Sequence, residues 1–220
     1  GKSAAHLGHL ILENGEVWVE TRPGGEIWQD EQPVEKLKIF SAGDHEPLLL
    51  RHRSLRWYVI KRGEKYGIRL RDLEHPALTS FKGIDAYPID AKWKVEAKLE
   101  IFPDERKIPI TDVLGQTSMQ VSPGTLVFTL KGKEHRLDAV ESGDELFILF
   151  ADKTNHKHTY QSGRFLYAKK PDAGGKTTLD FNKAYNPPCA FTEFATCPLP
   201  PPQNTLSIAV SAGEKRYGEH

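Results

Sequence analysis

Alternating apolar and polar residues occur in short stretches along most of the chain, and turn-forming residues separate the stretches. The clearest pair covers residues 9–13 and 16–21, which are joined by Asn14 and Gly15. Asn-Gly pairs readily adopt the positive φ angles that a two-residue hairpin turn requires. The pattern therefore predicts a β-hairpin at residues 9–21.

The same period of two residues predicts strands through both halves of the sequence, with glycines marking turns between them. Helical periodicity is scarce, and only residues 34–38 and 180–184 could form a short helical turn. Strands are predicted at residues 9–13, 16–21, 34–40, 47–52, 56–62, 65–71, 93–102, 107–113, 116–121, 125–130, 135–140, 145–151, 164–169, 177–181 and 205–210. Recurring short strands indicate an all-β fold, an antiparallel sandwich or barrel, rather than alternating strands and helices.

Residues 72–90 interrupt this rhythm with two prolines and a glycine, which is typical of a connection between two β regions. We predict a smaller N-terminal β region over residues 1–78 and a main β domain over residues 79–220, packed separately or as one unit. Residues 187–202 are rich in proline, which removes backbone donors and fixes φ. This stretch is predicted to form an extended Pro-rich clasp near the C-terminal end.

The charges of the chain balance, with 30 basic and 30 acidic residues. Such a chain has no overall attraction for nucleic acid or an anionic membrane, although a local patch is compatible with it. Aromatic and basic residues meet at residues 57–62, but Trp57 and Tyr58 point to opposite faces of the predicted strand. This favours core packing over base stacking, and we expect no nucleic-acid partner.

Apolar runs are short, and the run at residues 146–150 is far below the roughly 20 residues that cross a bilayer. We therefore expect no membrane span. The chain begins with Gly1 and Lys2 rather than Met. This is compatible with a cytoplasmic protein, and equally with an extracytoplasmic one whose export signal has been removed.

Two cysteines, Cys189 and Cys197, have seven residues between them. This separation allows a disulfide without requiring one. Buried free thiols, a disulfide, and metal or nucleophilic chemistry are the three alternatives. A nucleophilic role would need a base and an electropositive setting around the thiol.

Histidines occur two residues apart at His156 and His158. In an extended strand both imidazoles would lie on one face, where they could bind zinc, copper or iron with a further ligand such as Asp152. The alternative is an exposed turn in which the polar side chains of residues 152–158 bond to nearby backbone.

A second polar group combines carboxylate, amide and phenol side chains within seven residues: Asp180, Asn182, Tyr185 and Asn186. Such a group can recognise a small polar ligand, or it can satisfy backbone that proline has left without partners. Arg164 and Lys215 would favour an anionic ligand if the fold brings them close. The signatures of phosphate-binding loops, serine hydrolase elbows and zinc proteases are absent, and the sequence specifies no cofactor.

Several of these motifs together resemble a bacterial family known as domain of unknown function 1684. The resemblance covers the chain from about residue 35 onward and implies kinship without implying a reaction, a cofactor or a ligand. The matching pieces are residues 57–72, 81–85, 150–154, 159–160, 163–164, 180–191, 197–201, 204 and 212–215.

Three hypotheses for function follow. The first is a β protein that binds a small polar or anionic ligand through Arg164, Lys215 and the polar group of residues 180–186. The second is a metal-dependent hydrolase or oxidoreductase that uses His156 and His158. The third is a structural or partner-binding module, held together by the Pro-rich clasp and its cysteines.

Overall fold

The computed structural model describes residues 2–44 and 46–218. The chain separates into two compact units, one covering residues 1–82 and the other residues 83–220. Each unit has its own buried apolar core. No helix among the described residues is long and apolar enough to cross a membrane.

Two antiparallel sheets form the first unit. The first has the order β1-β2-β5, and the second has the order β4-β3-β6-β7-β8. Their core includes Val19, Ile39, Leu50 and Trp57. The strands are β1 (Gly8–Glu13), β2 (Glu16–Thr21), β3 (Trp28–Gln29), β4 (Gln32–Pro33), β5 (Lys36–Phe40), β6 (Leu50–His52), β7 (Leu55–Arg62) and β8 (Lys65–Asp72), and a short helix α1 (Ala77–Ser80) follows.

The hairpin that the alternation predicted at the beginning of this unit is confirmed. Asn14 and Gly15 both have positive φ angles between β1 and β2. The short strands β3 and β4 were missed because two-residue strands are too brief to show an alternating pattern.

The second unit is built on one six-stranded antiparallel sheet with a barrel-like curvature and the order β13-β12-β11-β10-β9-β14. The all-β prediction is confirmed. The core lies inside this sheet around Leu137, Ile148, Leu166 and Phe181, none of which is more than 1% exposed. The strands are β9 (Lys94–Thr111), β10 (Thr117–Leu130), β11 (Lys133–Ser142), β12 (Glu145–Phe150), β13 (Arg164–Lys169) and β14 (Lys176–Asp180).

Four shorter predicted strands proved to be two long ones. We expected a break near Pro103 and another near Pro123-Gly124, but β9 and β10 each continue through. The register shifts between Ser122 and Gly124, which is a β-bulge rather than a turn. A bulge accommodates a proline and a glycine without ending the strand.

We predict that Gly124→Ala lowers the free energy of unfolding by at least about 1 kcal/mol, because a Cβ at this position would lie 2.2 Å from the Glu100 carbonyl oxygen. Urea denaturation followed by fluorescence measures the change. Gly174→Ala is the matched control, since its Cβ would meet only the end of the Asp172 side chain, at 3.2 Å. Equal losses in the two variants would contradict the close packing at the bulge.

The predicted strand at residues 205–210 is wrong. That segment has one isolated bridge, from Ala151 to Thr205, and otherwise runs as irregular chain. Its alternating apolar residues, such as Leu206 and Val210, are still buried in the core. Four 3₁₀-helices complete the unit: Ala91–Trp93, Phe181–Lys183, Pro188–Ala190 and Pro202–Asn204.

Candidate functional site

Residues 210–216, which we call the C-terminal strap, cross one end of the second unit. Glu214 donates its backbone N–H to the Ala184 carbonyl at 2.8 Å, and Lys215 donates to the Asp85 carbonyl at 2.7 Å. Tyr87 donates in turn to the Gly213 carbonyl at 2.9 Å. The strap therefore joins residues 85–87 to the family-like motif of residues 180–191.

Arg164 lies beneath the strap and is fully buried. One guanidinium nitrogen donates to the Asp152 Oδ2 atom and to the Val210 carbonyl, both at 2.9 Å. The other donates to the carbonyls of Ala212 and Glu214. Its Nε atom has no hydrogen-bond partner among the described residues. Three of the five N–H donors thus hold carbonyls of the strap and a fourth pairs with Asp152, and no face of this guanidinium meets solvent.

Asp152 completes the anchor, and its side chain is as inaccessible as that of Arg164. Its Oδ1 atom accepts from the Thr154 hydroxyl at 2.6 Å, from the Thr154 backbone at 2.8 Å and from the Val210 backbone at 3.1 Å. A buried carboxylate needs such partners, because an unpaired charge in the interior is costly. The carboxylate and the guanidinium together fix the strap to the end of β12 and the beginning of β13.

Asp180 and Asn182 lie at the beginning of the 3₁₀-helix Phe181–Lys183. Asp180 caps this helix by accepting from the Asn182 backbone, and it also accepts from the Asn182 amide at 2.9 Å. Asn182 exchanges two further hydrogen bonds with the backbone of Asp90, each of 3.1 Å. These two side chains therefore bond to each other and to the segment before β9.

Tyr185 lies beside β13, where its backbone exchanges hydrogen bonds of 2.9 and 3.0 Å with Phe165. Its ring stacks parallel to that of Tyr167, with centroids 6.3 Å apart. Burial raises the pKa of the Tyr185 phenol well above its usual value, and Tyr167 and the Glu214 carboxylate raise it further. Because the phenol keeps its proton, it is a hydrogen-bond donor at neutral pH.

Asn186 and Lys215 are linked by a hydrogen bond of 2.8 Å from the Asn186 amide to the Lys215 carbonyl. The Asn186 backbone donates to the Glu214 carboxylate at 2.7 Å. Asn186 is 3% exposed, yet its Oδ1 atom accepts no hydrogen bond among the described residues. The Lys215 ammonium lies 5.2 Å from the centre of the Tyr87 ring. No carboxylate of the described chain lies within 4 Å of this ammonium.

His156 and His158 lie in an exposed turn rather than in the extended strand on which the metal hypothesis was based. His156 has a positive φ angle, and the backbone of residues 157–159 folds onto the Thr154 carbonyl. The His158 carbonyl accepts from the backbone of Arg216 in the strap, at 2.9 Å. Within residues 2–44 and 46–218, no three His, Cys, Asp or Glu side chains cluster in a way that could hold a metal ion.

The Pro-rich clasp is closed by a disulfide between Cys189 and Cys197. Of the three alternatives for the two cysteines, the structure therefore has the disulfide. The segment after the disulfide pairs with the end of β9, where Leu199 donates to the Thr111 carbonyl at 2.8 Å. Further along, Asn204 is buried and bonds through its amide to the carbonyls of Asp138 and Leu149, at 2.9 and 2.8 Å. It also accepts from the Asp138 backbone at 2.7 Å.

The structure therefore brings Arg164, Tyr185, Asn186 and Lys215 together around the strap. It leaves Asp180 and Asn182 on the 3₁₀-helix and places the imidazoles of the histidine pair on the surface turn. The sequence placed Glu214 in the motif of residues 212–215 without a role, and it did not identify Tyr87 as part of this region or Asp152 as the partner of Arg164. Asp152 does occur in the motif of residues 150–154, which carries part of the family resemblance. That motif is the only sign in the sequence that Asp152 matters here.

Comparison with known proteins gives one family and a similar solved structure. A family model described as protein of unknown function, DUF1684, matches residues 79–215. The chain belongs to this family. The match begins at residue 79, so residues 57–72, which we had included in the resemblance, lie outside it.

Similar solved structures include the solution NMR structure of an uncharacterized protein from gene locus rrnAC0354 of Haloarcula marismortui. The two chains are 32% identical, with a TM-score of 0.54, over 65% of this chain and 81% of the other. No curated protein matches the chain.

Proposed function

We propose that the second unit binds a small polar molecule carrying an anionic group, at the C-terminal strap beside Asn186 and Lys215. The observation that carries this proposal is the Asn186 Oδ1 atom, a buried acceptor without a hydrogen-bond partner among the described residues. Buried polar atoms are nearly always satisfied in native proteins, by protein, water or ligand. This acceptor therefore calls for a donor from outside the chain.

The Lys215 ammonium supports an anionic group on the ligand. It lies over the Tyr87 ring and has no carboxylate partner among the residues that the structure describes. A cation placed over an aromatic ring is held in position while its charge stays available. Lys215 is thus suited to attract an anion, in contrast to Arg164, whose charge is neutralised by Asp152.

Tyr185 and Glu214 add selectivity to the proposed site. The Tyr185 phenol stays protonated and interacts with Tyr167, so it adds no negative charge to the site, whereas the Glu214 carboxylate disfavours a ligand that carries negative charge on every side. We therefore expect a ligand with separate anionic and hydrogen-bond-donating groups. Hydroxy acids and amino acids have this combination.

Thermal unfolding of the full chain with malate, glutamate, inorganic phosphate and sulfate, each added at millimolar concentration, tests the proposal. A ligand that binds only the folded state raises the unfolding midpoint. We expect malate or glutamate to raise it more than phosphate or sulfate does. In Lys215→Met the dissociation constant of the best probe should increase by about tenfold or more, which corresponds to the loss of one charged contact.

Lys183→Met is the matched control. Lys183 is exposed, lies in the motif of residues 180–191 with Asn186, and forms no ion pair with the described residues. Its removal should leave the dissociation constant unchanged. Equal responses of the two variants would contradict a site at Lys215. If none of the four probes shifts the midpoint, the ligand proposal fails, and the third hypothesis, a structural or partner-binding module, is favoured.

A further inference from the structure

One face of the five-stranded sheet in the first unit is lined by cations. Cross-strand pairing places Trp28, Arg51, Arg56 and Arg71 in one row, on neighbouring strands from β3 to β8. The next rows pair Tyr58 with Arg69, Ile60 with Gly67, and Arg62 with Lys65. At five strands about 4.8 Å apart, this surface is about 20 Å wide. We call it the cationic face.

The opposite face of the same sheet is the core face, since Leu50, Trp57 and Val59 are buried there. Arg69 and Arg71 are exposed, whereas Trp28, Arg51 and Tyr58 are half-buried. None of the paired positions on the cationic face holds Asp or Glu. Although the charges of the whole chain balance, positive charge is concentrated on this surface.

Like charges directly opposite each other destabilise neighbouring strands. Arg51 faces Arg56, and Arg56 faces Arg71, so three arginines lie side by side on three strands. Arg51 and Arg56 also donate to backbone carbonyls, of Asp30 and of Arg53 and Leu55, which satisfies hydrogen bonds without neutralising charge. Among the described residues, no carboxylate lies within 4 Å of Arg51, Arg56, Lys65, Arg69 or Arg71. A bound polyanion would relieve this repulsion.

Aromatic rings lie among the cations. The Arg51 guanidinium is 5.5 Å from the centre of the Trp28 ring, and that of Arg71 is 5.9 Å from the Tyr58 ring. Nucleic-acid single strands bind to surfaces that combine cations for the phosphates with aromatic or guanidinium planes for the bases. Five of the six cations are arginines, which bind phosphate in a bidentate manner.

An anionic membrane is the less suitable partner. Binding to a bilayer surface is strengthened by apolar side chains that enter the lipid. The exposed apolar residues of β8, Ile68 and Leu70, lie on the opposite face, because they pair with the buried Val59 and Trp57. The cationic face thus presents mainly charge and partly covered rings, and its aliphatic residue Ile60 is half-buried.

We propose that the cationic face of the first unit binds single-stranded nucleic acid. The sequence pattern led us to expect no such partner, because Trp57 and Tyr58 alternate between faces. The structure places Trp57 in the core and Tyr58 outside, and it adds Arg51 from the preceding strand and Trp28 from a strand 30 positions before Tyr58. This proposal is independent of the ligand site at the strap.

Fluorescence anisotropy of a labelled oligothymidine of about 20 nucleotides, titrated with the full chain at several salt concentrations, tests the proposal. Each cation that contacts a phosphate contributes about −0.7 to the slope of log affinity against log salt. We expect a slope between about −2 and −4 for the parent. In Arg69→Gln/Arg71→Gln the slope should become less steep by about 1.4, and the dissociation constant at low salt should increase by about tenfold.

Arg22→Gln/Lys36→Gln is the matched control. It removes two exposed cations of the first unit that lie outside the cationic face and form no ion pair with the described residues. The proposal is supported if oligothymidine binding is retained in this control and weakened in Arg69→Gln/Arg71→Gln. Absence of binding at low salt, or equal weakening in both variants, overturns it. Sedimentation with phosphatidylserine vesicles but no oligothymidine binding overturns it in favour of a membrane surface.

Discussion

Arg164→Met should lower the free energy of unfolding by about 3–5 kcal/mol, the largest effect that we expect from a single substitution. The variant leaves the buried Asp152 carboxylate without its counter-charge and removes the donors of three strap carbonyls. Urea denaturation at neutral pH measures this loss. Arg164→Lys should not restore stability, because one ammonium cannot reproduce the planar set of donors.

Arg136→Met is the control for this prediction. Arg136 pairs with Glu100 on the exposed surface of the sheet, and exposed ion pairs contribute little to stability. A second comparison isolates the buried charge. The double variant Asp152→Asn/Arg164→Met should lose less stability than the sum of its single variants, since neither charge then remains unpaired. Strict additivity would show that the pair is not coupled.

Asn204→Ala should lower the free energy of unfolding by about 3 kcal/mol. The change removes three buried hydrogen bonds, to the carbonyls of Asp138 and Leu149 and from the Asp138 backbone, and each unsatisfied buried group costs about 1 kcal/mol or more. The same denaturation experiment checks it. Gln203→Ala is the neighbouring control, because Gln203 is exposed and makes one bond, to Asp138 Oδ2. If Asn204→Ala lowers the free energy of unfolding less than Gln203→Ala does, the buried hydrogen bonds of Asn204 do not have the stabilising role expected of them.

Local patterns predicted those parts of the fold that depend on neighbouring residues. Alternation predicted β7 and placed Trp57 and Tyr58 on opposite faces, and Asn14-Gly15 predicted the first hairpin. The predicted strands stop at residue 121 and resume at residue 125, on either side of Pro123-Gly124. The partner strand, whose Glu100 carbonyl lies close to Gly124, decides instead that they form a bulge.

The candidate site was predicted less completely, because its contacts join residues far apart in the sequence. Arg164 was expected near an anionic ligand, and its residue type does suit that role. Its charge is instead used within the protein, by an aspartate 12 positions earlier and by carbonyls 46 to 50 positions later. Asn186 and Lys215 were expected to come together, yet nothing in the sequence shows that the Asn186 Oδ1 atom is left without a partner.

The strap also sets the order in which the second unit can be completed during synthesis. Residues 85–87, at the beginning of this unit, bond to residues 213–215, at its far end. The barrel-like sheet can therefore assemble on the ribosome, but its closing contacts form only after residue 216 has left the exit tunnel. Because the two ends of the unit lie side by side, it is suited to circular permutation, with new ends opened in an exposed turn such as the one at Gly143.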